Sequence, residues 1–237
     1  LISGTSMDGI DAVLVDIEKN QLIKGITHPY PSELQTQLLN FDVSQKHSPQ
    51  TLWQLNHLLG CAFSNATLAL LKQTQYKPDD IKAIGSHGQT LYHDPDNDIP
   101  TTLQLGCPHT IAAHTGITVV ADFRTRDLVL GGQGAPFAPY YHQELFKNQN
   151  LPPAVVNVGG ISNVSILKKS APPMGYDTGP GNVLMDAWIK KHKNLAYDAN
   201  GDWASSGKII PSLLQTLLSD TYFSKLAPKS IDKGYYS

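Results

Sequence analysis

The stretch Ile2-Ser3-Gly4-Thr5-Ser6-Met7-Asp8-Gly9-Ile10-Asp11-Ala12-Val13-Leu14-Val15-Asp16 decides how the chain is read. Gly4 and Gly9 bracket a polar turn, and Ile10, Ala12, Leu14 and Val15 continue it as a strand. Period-2 alternation is partly lost, as expected of a strand buried on both faces. The stretch therefore reads as a β-hairpin. An Asp-Gly pair is an ordinary hairpin turn. A turn this rich in glycine and hydroxyls also exposes backbone N–H groups and side-chain donors suited to phosphate oxygens. Both readings stand on this stretch alone.

The pattern returns once. Ala154 to Leu167, A-V-V-N-V-G-G-I-S-N-V-S-I-L, reads as strand, Gly159-Gly160 turn and strand. Between the two hairpins lie a strand over 21–28, a helix from Ser32 with Leu34, Leu38 and Leu39 on one face, and a helix from Pro49 to about Thr74. The longer helix repeats Leu52, Leu55, Leu58, Leu59, Phe63 and Leu70 at three- and four-residue spacing. Short strands are expected over 81–85, 101–105 and 117–121, with a helix over 108–115. Ser86-His87-Gly88-Gln89-Thr90 reads as a polar turn, and Gly131–Pro136 as a hinge. Helices are expected over 139–146, 203–206 and 211–218, and Tyr176–Asn182 reads as a loop whose Asn182 caps a helix through Trp188. The order implies an α/β fold with two related halves, divided as 1–127 and 128–237.

Composition narrows the class. The chain has 237 residues, 41% hydrophobic and 16% charged, with a formal net charge of −2. That describes a soluble globular protein without the basic stripe of a nucleic-acid binder. No apolar run is long enough to cross a bilayer. Cys61 and Cys107 lack ligand spacing, so neither a zinc site nor a disulfide is expected, and a reducing cytoplasm is the simplest compartment.

Glycines at both hairpins let backbone approach phosphate closely, with Thr5, Ser6 and Ser162 as hydroxyl donors. Asp8 is acidic and suits Mg²⁺ or its water shell. Asp177, in D-T-G-P-G-N, is a carboxylate on a rigid turn, open either to a ligand or to its own backbone. A D-T-G triplet also belongs to aspartic proteases, but they need a second one in an all-β context, and this chain has one. Arg124 and Arg126 alternate at the C-terminal end of a strand, where α/β ligands bind. They suit one anion, or a local ion-pair cluster with Asp122 and Asp127. His87 and Gln89 suit a sugar's hydroxyls, and His87 equally suits a buried structural role.

S-G-T-S-M-D-G-I-D, G-S-H-G-Q-T, A-D-F-R, G-G-Q-G-A-P, N-V-G-G-I-S-N, Y-D-T-G-P-G-N-V-L-M-D-A-W and A-P-K-S occur in this order. Together they resemble the anhydro-N-acetylmuramic acid kinase family of the actin-like ATPase and sugar kinase superfamily. The resemblance implies an actin-like (ribonuclease H-like) two-domain fold in which the two turns grip a nucleotide's phosphates. It implies a cytoplasmic enzyme of cell-wall recycling. That enzyme uses ATP, Mg²⁺ and water to open the 1,6-anhydro bond of its sugar and phosphorylate the freed oxygen. Carried onto this sequence, Gly4, Thr5, Ser6, Met7, Asp8, Gly9, Ile10 and Asp11 match the phosphate segment, with Gly159, Gly160 and Ser162 opposite. Asp177 matches the general base, and Arg126 matches a sugar-contacting arginine suited to the lactyl carboxylate. His87, Gln89, Arg124 and Asn182 are the remaining candidate sugar contacts. The resemblance further implies a homodimer, and a second domain that continues past Ser237 with the adenosine pocket. Thr125 departs from an arginine in many relatives, and Ile231-Asp232-Lys233 from a T-G-R-like run. Two alternatives stay open: a non-catalytic actin-like nucleotide-binding module, and a kinase of another sugar.

Overall fold

A computed structural model describes residues 1–4, 7, 9–148, 154–169, 171–231 and 235. Thr5, Ser6 and Asp8 of the opening turn, named above for phosphate and Mg²⁺, lie outside the described residues. The structure is mixed α/β and divides into two compact units, Leu1–Gly134 and Ala135–Ser237. The break lies within the Gly131–Pro136 run, downstream of the 127/128 boundary read from sequence.

Unit 1 opens with β1 (Ile2–Ser3), β2 (Ile10–Asp16) and β3 (Gln21–His28), an antiparallel meander. Helices α1 (Ser32–Leu39) and α2 (Pro49–Leu71) follow. Then come β4 (Ile84–Ser86), β5 (Gly88–Asp94), β6 (Thr101–Leu105), α3 (Pro108–Thr115), β7 (Val119–Ala121) and α4 (Thr125–Val129). The strands form a five-stranded sheet in the order β3-β2-β1-β5-β6 and a two-stranded parallel pair, β4-β7. Leu1 links the two. Its amino group donates to the Gly85 carbonyl at 2.7 Å, and the His87 N–H donates to the Leu1 carbonyl at 2.8 Å. One edge of β1 therefore follows β4 and then β5 in parallel, with Ile2 opposite Gly88.

Helix α2 supplies the core. Ser48 caps it, its Oγ accepting the Thr51 N–H at 3.1 Å, and Pro49 fills the first turn, where an N–H would be unused. Leu55, Leu59, Ala62, Phe63, Ala66 and Leu70 lie on its buried stripe with Ile10, Ala12, Ile84, Leu105 and Ile111. Leu58 and Leu39 face solvent instead, because the buried arc of each helix is narrower than its run of leucines. β2 likewise alternates: Ile10 and Ala12 are buried while Val13 and Val15 are exposed, so the strand has one buried face rather than two. α3 ends at Gly116, whose φ of 71° closes the helix in the left-handed region.

Unit 2 holds α5 (Ala138–Phe146), β8 (Ala154–Val158), β9 (Ile161–Ile166), β10 (Met174–Pro180), α6 (Val183–Lys193), α7 (Asp202–Ser205) and α8 (Pro211–Leu218). Its sheet, β10-β9-β8, is again an antiparallel meander. Two segments differ from the sequence reading. Residues 176–180, expected in a loop, belong to β10, because Gly and Pro are accommodated at a bulge between Asp177 and Gly179. Gly88 to Thr90 likewise belong to β5 rather than to a turn, with a bend at Gly88, where φ is 78°. Among the described residues no helix is long and apolar enough to cross a membrane.

Candidate active site

In unit 1 the opening turn is drawn tight by its backbone. The Met7 N–H donates to the Gly4 carbonyl at 3.1 Å, with Met7 at φ 53°. Ser3 Oγ donates to the Gly9 carbonyl at 2.9 Å, and Gln35 Nε2 to the Met7 carbonyl at 3.0 Å. Gly9 has no room for a side chain: a Cβ there would stand 2.8 Å from Thr27 Cγ2. Ile10 is fully buried, so only its backbone can meet a ligand. Asp11 accepts the Thr27 hydroxyl at 2.6 Å and is exposed.

The polar segment at β4–β5 is organised around His87. Its Nδ1 lies 3.1 Å from the Gly88 carbonyl, and its Nε2 accepts the Arg124 Nε–H at 3.0 Å. Both ring nitrogens are therefore used within the protein. Gln89 is wholly buried, its Nε2 donating to the Thr90 carbonyl. Gln89 Oε1, Ser86 Oγ and Thr90 Oγ1 are buried with no partner among the described residues.

Arg124 and Arg126 do not share an extended segment. Arg124 is the N-cap residue of α4 and half-buried; Arg126 lies within that helix and is exposed. The helical rotation between them turns the side chains apart, so the pairing expected from alternation fails. The ion-pair alternative fails too: Asp127 accepts the Gly134 N–H at 2.7 Å and Asp122 the Thr125 N–H at 3.2 Å. Among the described residues of unit 1 neither arginine pairs with a carboxylate.

In unit 2 the Gly159-Gly160 turn joins the N-terminus of α6. The Asn182 N–H donates to the Gly159 carbonyl at 2.9 Å, and the Gly181 N–H to the Gly160 carbonyl at 2.8 Å. Any Cβ on Gly181 would collide with the Gly159 carbonyl oxygen. Asn182 occupies the N-cap position, but its side chain makes no capping bond, and the helix runs past Trp188 to Lys193. The Gly160 carbonyl instead accepts the first helix N–H, that of Val183, at 3.3 Å.

Asp177 sits in β10 opposite Asn163. Its Oδ2 accepts the Ile231 N–H at 2.9 Å, and its own N–H donates to the Lys229 carbonyl at 3.0 Å. The buried Tyr222 donates its hydroxyl to the Asp177 carbonyl at 2.8 Å. Lys229 Nζ in turn donates to the Tyr222 carbonyl at 3.0 Å and lies over the Tyr222 ring. Oδ1 of Asp177 has no partner among the described residues. Burial pushes the carboxyl above its ordinary value, and the Ile231 N–H opposes that. Tyr222, Lys229 and Ile231 were not singled out by sequence reasoning as partners of this carboxylate. The sequence signals near them are A-P-K-S and the Ile231-Asp232-Lys233 run that follows it, neither of which assigns a partner to the carboxylate.

Unit 2 holds a carboxylate fixed at one oxygen, with no partner at the other among the described residues, and a Gly-Gly turn. Unit 1 holds a second glycine turn and a guanidinium that has no carboxylate partner among the described residues. The family model for anhydro-N-acetylmuramic acid kinase matches residues 1–237. The chain is similar to anhydro-N-acetylmuramic acid kinase of Legionella pneumophila (strain Paris), 54% identical over all of this chain and 65% of the relative. It is also similar to proteins of that name from Photobacterium profundum, 46% identical over all of this chain and 64% of the relative, and Haemophilus influenzae, 44% identical over all of this chain and 62% of the relative. The chain thus spans less than two thirds of the length of these relatives.

Proposed function

The chain belongs to the anhydro-N-acetylmuramic acid kinase family, and we propose that the whole protein opens and phosphorylates 1,6-anhydro-N-acetylmuramic acid. Water attacks the anomeric carbon and gives up a proton to Asp177. The bond from that carbon to O6 breaks, and O6 takes the γ-phosphoryl group of ATP. The products are N-acetylmuramic acid 6-phosphate and ADP, in the recycling of cell-wall sugar. The observation that carries this reading is Asp177, anchored through Oδ2 by the Ile231 N–H with Oδ1 unpartnered among the described residues. A general base needs a held carboxylate with a free oxygen, ionised at working pH.

The fold we propose is actin-like, of the ribonuclease H-like kind, with a second domain completed by further chain. The antiparallel meander present in each unit supports it, as does the parallel run from β1 to β4 and β7 through Leu1. A glycine turn that leaves backbone open to phosphate is present in each unit, at Gly4–Gly9 and at Gly159–Gly160, and the exposed Gly160 supports that role for the second. Mg²⁺ would neutralise the β- and γ-phosphates when bound. Among the described residues no group of three or more His, Cys, Asp or Glu side chains gathers. A magnesium ion held chiefly by phosphate and water needs no such group. The free thiols of Cys61 and Cys107 support a reducing cytoplasm.

The test is the mass of the product formed from the anhydro sugar, ATP and Mg²⁺. A gain of one phosphate and one water is expected. A gain of phosphate alone would overturn the coupled opening, and absence of any product would overturn the kinase reading.

A further inference from the structure

The His87–Arg124 pair has one internally consistent protonation state. The Gly88 carbonyl can only accept, so the proton of the neutral ring is on Nδ1, at 3.1 Å. Nε2 then presents a lone pair, which takes the Arg124 Nε–H at 3.0 Å. A protonated ring would put an N–H on both nitrogens and turn Nε2 against another donor. Burial is the first force keeping the ring neutral. The Gly88 carbonyl opposes it, and the Arg124 guanidinium adds to it. Arg124, at the start of α4, is the charged side chain that faces the ring among the described residues; no carboxylate does.

Arg124 is itself held. Its carbonyl accepts the Leu128 N–H at 3.1 Å, and Gly134 lies against its Cβ. With Nε spent on a neutral imidazole and no carboxylate partner among the described residues of unit 1, the two terminal nitrogens form a fork with no partner among those residues. A planar fork of N–H donors matches a carboxylate in bidentate fashion. Arg126, exposed on α4, has no such holder.

We infer that His87 is a positioning residue: its neutral, Nδ1-protonated imidazole orients the Arg124 guanidinium so that both terminal nitrogens face the carboxylate of an acidic sugar. This rests on the acidic amino sugar proposed above. It moves the carboxylate contact from Arg126 to Arg124 and gives His87 a role that involves no contact with substrate. Acid protonates the ring, turns the guanidinium away and weakens binding of the acidic sugar without altering the reacting groups.

Two measurements on the full chain test it. Nitrogen NMR of histidine-labelled protein at neutral pH is expected to find the His87 proton on Nδ1. A proton on Nε2, or on both nitrogens, would overturn the inference. Calorimetric binding of N-acetylmuramic acid and of the neutral N-acetylglucosamine is then compared from about pH 5.5 to 8. His87→Leu is expected to weaken the acidic sugar about tenfold or more, the neutral one by less than about twofold. His87→Gln, which keeps one donor and one acceptor, is expected to restore binding and lose its acid dependence. Equal weakening of both sugars in His87→Leu, or no preference of the wild-type protein for the acidic sugar, would overturn it. Neither measurement uses ATP or turnover, so failure of the kinase reading is seen separately, as absence of phosphorylated product.

Discussion

Asp177 carries two opposed demands. As the proposed base it must be ionised, yet burial favours its protonated form and raises its value. Turnover is therefore expected to fall as pH drops through that raised value, and a pH–rate profile checks this. The sign for stability is the reverse. A carboxyl raised in the folded state favours folding while protonated, and that contribution is lost as pH rises through the folded value. Asp177→Asn should thus abolish turnover, by about 10²- to 10⁴-fold. It should melt no lower than the wild type at neutral pH, with any gain fading in acid. Thermal melts at two pH values decide it; a large loss of stability in Asp177→Asn would show that the ionised carboxylate is itself structural. Tyr222 acts one bond further out, through the Asp177 carbonyl. Tyr222→Phe should cost about 1 kcal/mol and lower kcat more than it raises KM, since only the carboxylate's placement changes.

At the level of elements, α2 and the β9–α6 junction hold each unit's polar turns in place. Leu59 and Phe63 are both fully buried on α2. Phe63→Ala should cost about 3–5 kcal/mol, whereas Ser48→Ala at the N-cap should cost about 1 kcal/mol; denaturant midpoints separate the two. The second glycine turn depends on backbone proximity rather than on apolar area. The carbonyls of Gly159 and Gly160 close the start of α6, and Gly181 is the residue that lets them approach. Gly181→Ala should cost about 1–3 kcal/mol through overpacking and should weaken nucleotide binding more than sugar binding. Equal loss of both ligands would contradict a phosphate role for that turn.

The two units differ in how much core they possess. Unit 1 buries a continuous cluster from Ile10 to Ile117. In unit 2 the fully enclosed apolar side chains among the described residues are Pro139, Ile189 and Tyr222. Helix α8 buries none of its residues, and Leu213, Leu214, Leu217 and Leu218 all stand about half exposed or more. A helix with so marked an apolar stripe normally has its face covered. In this chain a Leu213→Ser, Leu217→Ser pair should change stability by no more than about 0.5 kcal/mol and should lower binding of a hydrophobic dye. A loss of several kcal/mol would mean that those leucines are packed in solution.

Much of this was legible from neighbours along the chain. The opening hairpin, the strand over 21–28, the helices from Pro49, Pro108 and Pro211, and the Gly159-Gly160 turn follow from periodicity and punctuation. A cap, a repeat of leucines or a glycine pair acts within a few residues of itself. The ordered motifs also pointed to the family and singled out Asp177. What surrounds that carboxylate was not legible. Residues 176–180 look like a loop because Gly and Pro break local strand preference, yet pairing with β9 and a bulge keep them in the sheet. Tyr222 and Ile231 reach Asp177 across separations of 45 and 54 residues. Arg124 reaches His87 across 37. Such pairs are set by which elements pack together, and no local propensity encodes that. The sequence by itself therefore determined the turns, the helices and the carboxylate proposed as the base. The tertiary structure alone decided which oxygen of Asp177 is held by the Ile231 N–H, and that Arg124 rather than Arg126 is held, because both depend on partners that only packing brings within hydrogen-bond reach.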